Sequence, residues 1–480
     1  MEENQLKNRI PKTSNDRMEK FHDNQFVKRF ARLVQQNKEL SQELRQLREK
    51  YNELIHKSEE YEQIVSKYTQ YSEVKEVLTS DRPQSLKFNM ATVLYGELHG
   101  FSGITPDMDT EVLMDQLDQL YIKFDQIIRK YPIAKIKTIG DSYMCAGGIP
   151  EKNITNPVEV ILAAMQMLQT VKTINNSTKP IWEIRLAVHT GPVSATITGK
   201  QRITYDIKGD TVNIASRMES SGKNGELLIS VMTYELIKEI FNCEYYGTLP
   251  VKYKGILDIY SVIGIKSELS EDGLGMIPNQ NFKTKFALLQ FYDIQELVFD
   301  KLEQELPPDL HYHNLKHTVD VVTEVELIGW AEGLEDSEML ILKTAALFHD
   351  CGHTIDYDNH EYHGTVIVRD VLPKFNYSKE QIDRICEIIM STKLPPNPKN
   401  LLESIICDAD LDYFGRTDFI PVSNTLFEEL KVRNKIASLN DWNKLQLSFI
   451  SGHQYFTHTA RKLREVNKQN QIERIRQLIT

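Results

Sequence analysis

The chain has 480 residues, of which 41% are hydrophobic and 26% charged, which is typical of a globular protein with two or three domains. Its formal net charge of −11 argues against a general nucleic-acid-binding surface. Its apolar runs are shorter than the about 18 residues of a membrane helix, and its five cysteines include no CxxC pair, which fits a reducing compartment. We therefore expect a cytoplasmic protein without nucleic-acid or membrane partners.

The first part of the chain predicts a helix that forms dimers. Residues 1–25 are polar and are expected to be disordered. Over residues 26–80, apolar side chains recur every seven residues, and neither proline nor glycine interrupts them. The repeat is clearest in a series of leucines: Leu33, Leu40, Leu47 and Leu54. This pattern predicts a coiled coil, and a single amphipathic helix packed on its own domain is the alternative.

The middle of the chain, residues 86–265, alternates between strand-like and helix-like patterns. Strand patterns occupy residues 88–95, 136–145 (as strand–turn–strand), 182–189 and 227–230. Helical patterns occupy residues 110–131, 157–174 and 211–221. The alternation predicts an α+β domain.

The last part of the chain has a different composition. Residues 266–284 contain Ser, Glu, Asp, Gly, Pro and Asn, and they predict a linker. From residue 285 to residue 480 the apolar spacing is almost wholly helical. This region predicts a separate all-α domain.

Three motifs in the α+β domain carry polar residues suited to nucleotide chemistry. They are residues 93–102 (VLYGELHGFS), 135–141 (KIKTIGD) and 205–217 (YDIKGDTVNIASR). In this order and spacing they resemble the class III nucleotide cyclases, whose catalytic domain has a ferredoxin-like fold. The resemblance implies conversion of a nucleoside triphosphate to a 3′,5′-cyclic nucleotide and pyrophosphate, with two Mg²⁺ or Mn²⁺ ions in each site.

The resemblance assigns roles to the polar residues of the first two motifs and to Asp206. Glu97 and Asp141 correspond to the metal-binding carboxylates, although the family has aspartate at the first position. The longer glutamate favours Mn²⁺, which tolerates imperfect geometry, or it lowers or abolishes activity. Lys137 and Asp206 correspond to the residues that read the purine, and a Lys–Asp pair fits adenine and therefore ATP.

The remaining assignments concern the ribose and the phosphates. Asn213 and Arg217 share one face of a helix because they are four residues apart. The resemblance implies that Asn213 orients the ribose and that Arg217 stabilises charge at the α-phosphate. Lys254 is assigned to the terminal phosphates, with Lys252 as the alternative. The family builds each site between two catalytic domains, so this chain is expected to work as a head-to-tail homodimer through its coiled coil and cyclase domains.

The helical domain contains a cluster of histidines and aspartates. The string YHNLKH at residues 312–317 puts His313 and His317 on one face of a predicted helix, and His349 and Asp350 follow an apolar helix. Histidine nitrogens and carboxylate oxygens together suit Zn²⁺, Mn²⁺, Fe²⁺ or Mg²⁺.

This cluster resembles that of the HD-domain metal phosphohydrolases, and its first string is similar to cyclic nucleotide phosphodiesterases. The resemblance makes His313 the general acid, and it implies four metal ligands: His317, His349, Asp350 and Asp410, with Asp408 as the alternative to Asp410. His353 and His360 either support a second metal or lie in the outer shell. The domain either hydrolyses cyclic AMP or another phosphoester, or it has a regulatory role.

The function predicted from the sequence is an adenylate cyclase joined to an HD domain. Two alternatives stay open. One is an HD-type metal phosphohydrolase whose cyclase domain is degenerate and only binds nucleotide, which Glu97 favours. The other is a non-enzymatic signalling module.

Overall fold

The computed structural model describes residues 84–99, 110–177, 182–198, 204–251, 255–271 and 273–480. The disorder predicted for residues 1–25 and the coiled coil predicted for residues 26–80 lie outside these residues. Lys252 and Lys254, the candidates for phosphate binding, also lie outside them.

A mixed sheet forms the first part of the described chain. Its strands are β1 (Gln84–His99), β2 (Ile133–Ile139), β3 (Ser142–Gly147), β4 (Glu183–Thr198), β5 (Thr204–Lys208), β6 (Leu227–Ser230), β7 (Phe241–Val251) and β8 (Gly255–Ile265). They lie side by side in the order β2-β3-β1-β4-β6-β8-β7, and β5 pairs with β4 outside this path. The pairing is antiparallel except between β4 and β6.

The helices divide into those that accompany the sheet and those that follow it. The first set is α1 (Thr110–Ile128), α2 (Asn156–Ser177), α3 (Asp210–Ser221) and α4 (Val231–Ile237). The second set is α5 (Gln280–Glu305), α6 (Leu315–Ala331), α7 (Asp336–Phe348), α8 (His360–Val371), α9 (Lys379–Ser391), α10 (Leu401–Asp410), α11 (Phe419–Val432), α12 (Leu439–Gly452) and α13 (His458–Leu478). The described chain is therefore a mixed sheet with helices followed by a helical region, as predicted.

Alternation of side chains along β1 separates two layers of packing around the sheet. Leu94 and Leu98 point into a core shared with α1 and α2. Val93 points to the opposite face, where Ala215 of α3 packs against it in a smaller core. Glu97 lies on the same side of β1 as Val93, so its carboxylate is at the edge of the face that α3 covers.

Helix α5 belongs to two cores. The Asn279 side chain caps its first turn by accepting a hydrogen bond from the Phe282 N–H at 3.0 Å. Phe282 is buried in the core of the sheet domain, whereas Phe291 is buried in the core of the helical domain. The helix begins at Gln280, inside the linker predicted for residues 266–284, because the burial of Phe282 and the cap stabilise its first turn.

A hydrogen bond also joins α5 to the sheet domain. The Asp293 carboxylate accepts it from the Ile154 N–H, with 2.8 Å between Oδ1 and N. Burial raises the pKa of Asp293 to about 7, and the charges of Glu296 and Glu159 add to the rise. Burial likewise raises the pKa of Glu159, on α2, to about 7. The contact between the domains therefore contains two carboxyl groups that titrate near neutral pH.

Replacing Asp293 with asparagine is expected to alter the pH dependence of stability. A carboxyl group whose pKa is raised by folding contributes stability below its unfolded pKa, and that contribution is lost as the pH rises between about 4 and 7. Asparagine stays neutral and can accept the same hydrogen bond. We therefore compare the unfolding temperature of Asp293→Asn with that of the unchanged protein at each pH. The value for the variant minus the value for the unchanged protein should increase from pH 4 to pH 8.

Thermal unfolding at a series of pH values tests this expectation. The matched control is Asp370→Asn, which changes an exposed carboxylate paired with Lys374. Equal pH profiles for the two variants would contradict the role given to Asp293.

Among the helices of the described residues, none has the length and apolar character that a bilayer crossing requires.

Candidate functional site

The two carboxylates predicted to bind metal lie at one edge of the sheet. Glu97 is near the end of β1, opposite Ser142 at the start of β3. The Leu98 N–H donates to the Asp141 carbonyl oxygen at 2.9 Å, which holds the β2–β3 turn against the end of β1. Burial raises the pKa of Tyr121 above its ordinary value, and the charges of Asp141 and Glu97 both add to the rise. Both carboxylates are therefore close enough to Tyr121 to disfavour ionisation of its hydroxyl.

The side chain of Glu97 has ion-pair partners of its own. Arg185 faces Glu97 across the β1–β4 pair, and its Nη2 lies 3.3 Å from the Glu97 carboxylate. The Arg185 Nε lies 2.8 Å from the buried carboxylate of Glu219 on α3. His99 Nε2 is 3.5 Å from Glu97 and 3.8 Å from Glu219. The potential metal-ligand atoms of Glu97, His99 and Glu219 therefore lie within 4.8 Å of one another, and Asp141 does not belong to this group.

Asp141 fits a divalent cation better than Glu97 does. Its carboxylate is half-buried in the turn, and it makes no hydrogen bond or ion pair with any residue that the structure describes. Carboxylate oxygens at a strand end are ligands that Mg²⁺ and Mn²⁺ accept. A cation at Asp141 would compete with Arg185 for Glu97, and Glu219 would remain as the partner of Arg185.

The two residues predicted to read the base lie on two strands that contact each other without pairing. Lys137 is exposed on β2 and Asp206 is exposed on β5, and these strands are in contact. Lys208 Nζ lies 3.6 Å from the Asp206 carboxylate at the surface. An exposed cation and an exposed carboxylate therefore lie on two strands that contact each other.

Helix α3 has a buried face and an exposed face. Its buried residues include Ile214, Ala215 and Glu219, which pack towards the sheet. Asn213 and Arg217 are exposed one helical turn apart. Since Glu219 is the residue that faces Arg185, the Asn213–Arg217 pair points away from the Glu97 of its own chain.

The four metal ligands predicted for the helical domain converge on one point. His317 Nε2 lies 3.1 Å from Asp410 Oδ1, 3.4 Å from Asp350 Oδ2 and 3.4 Å from His349 Nε2. His349 Nε2 lies 3.3 Å from Asp350 Oδ2 and 3.7 Å from Asp410 Oδ1. Ligands about 2.0–2.2 Å from one tetrahedral ion are about 3.3–3.6 Å apart. The separations in this cluster are close to that range, so these four side chains fit a divalent metal.

The local sequence explains why these side chains point inward. His349 directly follows the buried helix α7. Its Nδ1 lies 2.7 Å from the Ala346 carbonyl oxygen, which leaves Nε2 directed towards the cluster. Asp408, the alternative to Asp410, accepts hydrogen bonds from the backbone N–H groups of Phe456 and Thr457 and is therefore turned away from the cluster.

A second group of potential ligands shares Asp350. The ligand atoms of His313, Asp350 and His353 lie within 4.8 Å of one another. Asp350 Oδ1 is 3.9 Å from His353 Nε2 and 3.6 Å from His360 Nε2. Burial lowers the pKa of His353 to about 3, so its ring is neutral, and both its nitrogens are buried without hydrogen-bond partners. This group can hold a second metal with Asp350 between the two ions.

Gly352 allows the second group to form. The His353 and His360 rings stack with their centroids 3.9 Å apart. A Cβ atom at residue 352 would lie 1.9 Å from the His360 carbonyl oxygen, so a larger residue would push α8 away.

The sequence motifs did not identify Glu429, which is fully buried on α11. Its carboxylate accepts hydrogen bonds from the N–H groups of Tyr312 and His313 at 2.9 and 3.1 Å and from the Tyr357 hydroxyl at 3.0 Å. His313 Nδ1 lies 2.5 Å from its Oε1. Burial opposes the charge on His313, but Glu429 and Asp350 raise the pKa of His313 overall. A protonated His313 beside the cluster suits a general acid.

His313 does not lie on the helix that was predicted to carry it. Helix α6 begins at Leu315, because the Asn314 side chain caps it by accepting a hydrogen bond from the His317 N–H at 3.2 Å. His313 precedes the cap, and Glu429 determines its orientation.

Comparisons with known proteins match one region in each of the two domains. Residues 84–264 match the model of the adenylate and guanylate cyclase catalytic domain, and residues 314–412 match the model of the HD domain. These are the two domains predicted from the motifs, in the predicted order.

The relatives include cyclases of both nucleotide specificities. An adenylate cyclase of Mycobacterium bovis is 32% identical over 180 residues, which are 38% of this chain and 41% of that protein. Guanylate cyclase 32E of Drosophila melanogaster is 33% identical over 193 residues, which are 39% of this chain and 17% of that protein. The chain thus spans less than half the length of these curated relatives.

A solved structure is similar to the same region. It is the catalytic core of a rhodopsin-guanylyl cyclase with converted specificity in complex with ATPalphaS. It is 32% identical, covers 37% of this chain and 97% of that chain, and has a TM-score of 0.35.

Proposed function

We propose that this chain, in which a nucleotide cyclase catalytic domain precedes an HD domain, converts ATP to 3′,5′-cyclic AMP and pyrophosphate. The choice of ATP as the substrate is supported by Lys137 and Asp206, which lie on strands that contact each other. The lysine ammonium donates a hydrogen bond and suits adenine N1, and the carboxylate accepts one and suits the adenine 6-amino group. Guanine has the opposite pattern of donors and acceptors at these positions, so the pair favours ATP over GTP.

The edge formed by Glu97 and Asp141 is proposed to hold the metal ions. Bound Mg²⁺ or Mn²⁺ would supply charge stabilisation at the triphosphate and a lower pKa for the ribose 3′-hydroxyl. The reaction forms a bond between the 3′-oxygen and the α-phosphorus, breaks the bond from the α-phosphorus to the β-phosphate oxygen, and releases one proton. Asp141 contributes a carboxylate without a described partner, and Glu97 contributes one that must leave Arg185.

The complete site is proposed to need a second copy of the chain. Glu219 faces Arg185 beside Glu97, and Arg217 is two residues earlier, which is about 200° around the helix. The exposed face with Asn213 and Arg217 is therefore directed away from the metal edge of its own chain. In a dimer with a twofold axis, the exposed face of α3 in each chain can lie against the metal edge of the other chain. Each site then combines the metal edge of one chain with α3 of the other.

The HD domain is proposed to hydrolyse a phosphoester. The observation that favours this second function is the convergence of His317, His349, Asp350 and Asp410 next to His313. A divalent metal in this cluster would supply a Lewis acid for the phosphoryl group. Hydrolysis breaks one ester P–O bond and forms one from water. The leaving oxygen takes a proton, which His313 can give because Glu429 favours its charged form.

Cyclic nucleotide formation tests the proposal for the cyclase domain. ATP and GTP are offered separately in Mg²⁺ and in Mn²⁺ to the purified chain, to Asp141→Ala and to the control Asp370→Ala, which changes an exposed carboxylate. We expect product from ATP that Asp141→Ala abolishes and that Asp370→Ala leaves unchanged. Product from GTP alone would contradict the role of Lys137 and Asp206.

A silent cyclase domain would support the alternative of a degenerate nucleotide-binding domain. In that case no product would form in either metal. Product from Glu97→Asp but not from the unchanged chain would identify residue 97 as the position where catalysis was lost.

A further inference from the structure

Two carboxylates share the guanidinium of Arg185 at the metal edge of the cyclase domain. Arg185 lies directly opposite Glu97 in the β1–β4 pair, so both side chains lie on the same face of the sheet. The Arg185 Nε donates to the Glu219 carboxylate at 2.8 Å, and its Nη2 donates to the Glu97 carboxylate at 3.3 Å. Oxygens of these two carboxylates lie within 4.8 Å of each other. The guanidinium therefore offsets the repulsion between two close negative charges.

The two contacts of Arg185 differ in strength. The side chain of Glu219 is 1% exposed, whereas that of Glu97 is 26% exposed. A buried charge loses more when its partner is removed than a charge in contact with water does, and the contact with Glu219 is also the shorter one. Glu219 therefore anchors Arg185, and Glu97 is the partner that can leave.

The contact between Arg185 and Glu97 depends on the length of the glutamate side chain. Aspartate is shorter by one carbon–carbon bond, which is about 1.5 Å. Such a retraction from 3.3 Å takes the carboxylate beyond hydrogen-bond reach of Arg185, and Arg185 cannot follow it without leaving Glu219. An aspartate at residue 97 would thus be available to a metal ion, whereas Glu97 is already engaged by a cation of its own chain.

We propose that Arg185 and Glu219 are positioning residues that regulate metal binding at Glu97. Glu219 fixes Arg185, and Arg185 competes with the divalent cation for the Glu97 carboxylate. The cyclase domain then needs a higher metal concentration than the same chain with aspartate at residue 97. The inference rests on the proposed function, because it takes Glu97 and Asp141 as metal ligands.

Binding of Mn²⁺ alone to the full-length chain tests the inference, and the electron paramagnetic resonance signal of the free ion measures it. The HD domain can also bind Mn²⁺, so the cyclase component is defined as the part that Asp141→Ala removes. For this component, the affinity of the Glu97→Asp chain is divided by the affinity of the chain that retains Glu97. This ratio is measured first with Arg185 in place and then in Arg185→Gln.

We expect the ratio to be about fivefold larger with Arg185 than in Arg185→Gln, which is the effect of a partly exposed ion pair. Repulsion between the Arg185 charge and the bound ion affects both chains of a ratio, so it cancels. The effect of the extra methylene on metal geometry is present with and without Arg185, so it cancels between the two ratios. A change in the ratio therefore reports the contact between Arg185 and Glu97.

The variant Glu219→Gln should raise the ratio, because Arg185 loses a charged partner and pairs more strongly with Glu97. Arg185→Gln leaves the buried Glu219 without its cation, so the double variant Arg185→Gln/Glu219→Gln is measured as well. It removes both charges and should show the low ratio of Arg185→Gln. The control Arg369→Gln, which breaks a surface ion pair with Asp383, should leave the ratio of the unchanged chain as it is.

Three outcomes would overturn the inference. Equal ratios with and without Arg185 would do so while leaving the metal edge intact. Additional Mn²⁺ bound by Arg185→Gln that Asp141→Ala does not remove would assign the ion to Glu97, His99 and Glu219 instead. If Asp141→Ala removes no Mn²⁺ from any of these chains, the proposed metal edge itself is refuted, and the role of Arg185 is refuted with it.

Discussion

A mixture of Asp141→Ala and Arg217→Ala is expected to form cyclic AMP, although each variant alone is nearly inactive. Each should lose about 10²–10³-fold in kcat, because each lacks one preorganised group that stabilises developing charge. If the two residues act in one site from different chains, a mixed dimer has one site with both changes and one with neither. With random subunit exchange half of the dimers are mixed, so activity should recover to about a quarter of the original.

The matched control for this mixture is Asp141→Ala with Glu97→Ala. These residues lie at the same sheet edge, so every site of a mixed dimer carries one of the changes and no recovery is expected. Co-purification of differently tagged chains establishes that mixed dimers have formed. Recovery in both mixtures, or in neither, would contradict the assignment of Arg217 to the partner's site.

Replacing Asp350 with alanine is expected to remove the metal from both ligand groups of the HD domain. The Asp350 carboxylate faces His317 and His349 through Oδ2 at 3.4 and 3.3 Å, and His360 through Oδ1 at 3.6 Å. Loss of an outer-shell partner typically costs about 10- to 100-fold in metal affinity or activity. Loss of a ligand shared by two groups should cost more than that.

Elemental analysis of the purified protein and hydrolysis of phosphoesters measure the effect. The control is Asp358→Ala. Asp358 lies in the loop before α8, and its exposed carboxylate pairs with Lys435. If cyclic AMP is the HD-domain substrate, the Asp350 variant should also accumulate more of it from ATP than the control does. Unchanged metal content and hydrolysis in Asp350→Ala would refute the site.

Local patterns in the sequence were sufficient to predict the residues that lie next to a regular element. His349 and Asp350 follow an apolar helix, and Asp141 follows Gly140 in a turn that the structure retains, with a φ of 59° at the glycine. Such positions are visible because the period of the neighbouring apolar residues determines where the element ends. The strand at Leu227–Ser230 was predicted at its observed limits for the same reason.

Residues whose roles depend on distant contacts could not be predicted in this way. Glu429 is 116 positions from His313, and no spacing within α11 distinguishes it from Glu428 beside it. The pairing of Glu97 with Arg185 depends on strand register, which the local pattern does not specify. The early start of α5 depends on the burial of Phe282 in the core of the sheet domain. The residues next to Phe282 in the sequence are polar, so the local pattern does not predict this burial.

The continuity of α5 limits how this chain can be divided. The first half of the helix fills the core of the cyclase domain, and its second half fills that of the HD domain. Any cleavage between residues 266 and 290 therefore removes apolar side chains from one core and exposes them on the other fragment. If recombination replaced one domain, the new domain would also need a half of α5 that fits the core of the retained domain. The two domains are therefore expected to be inherited together with this helix.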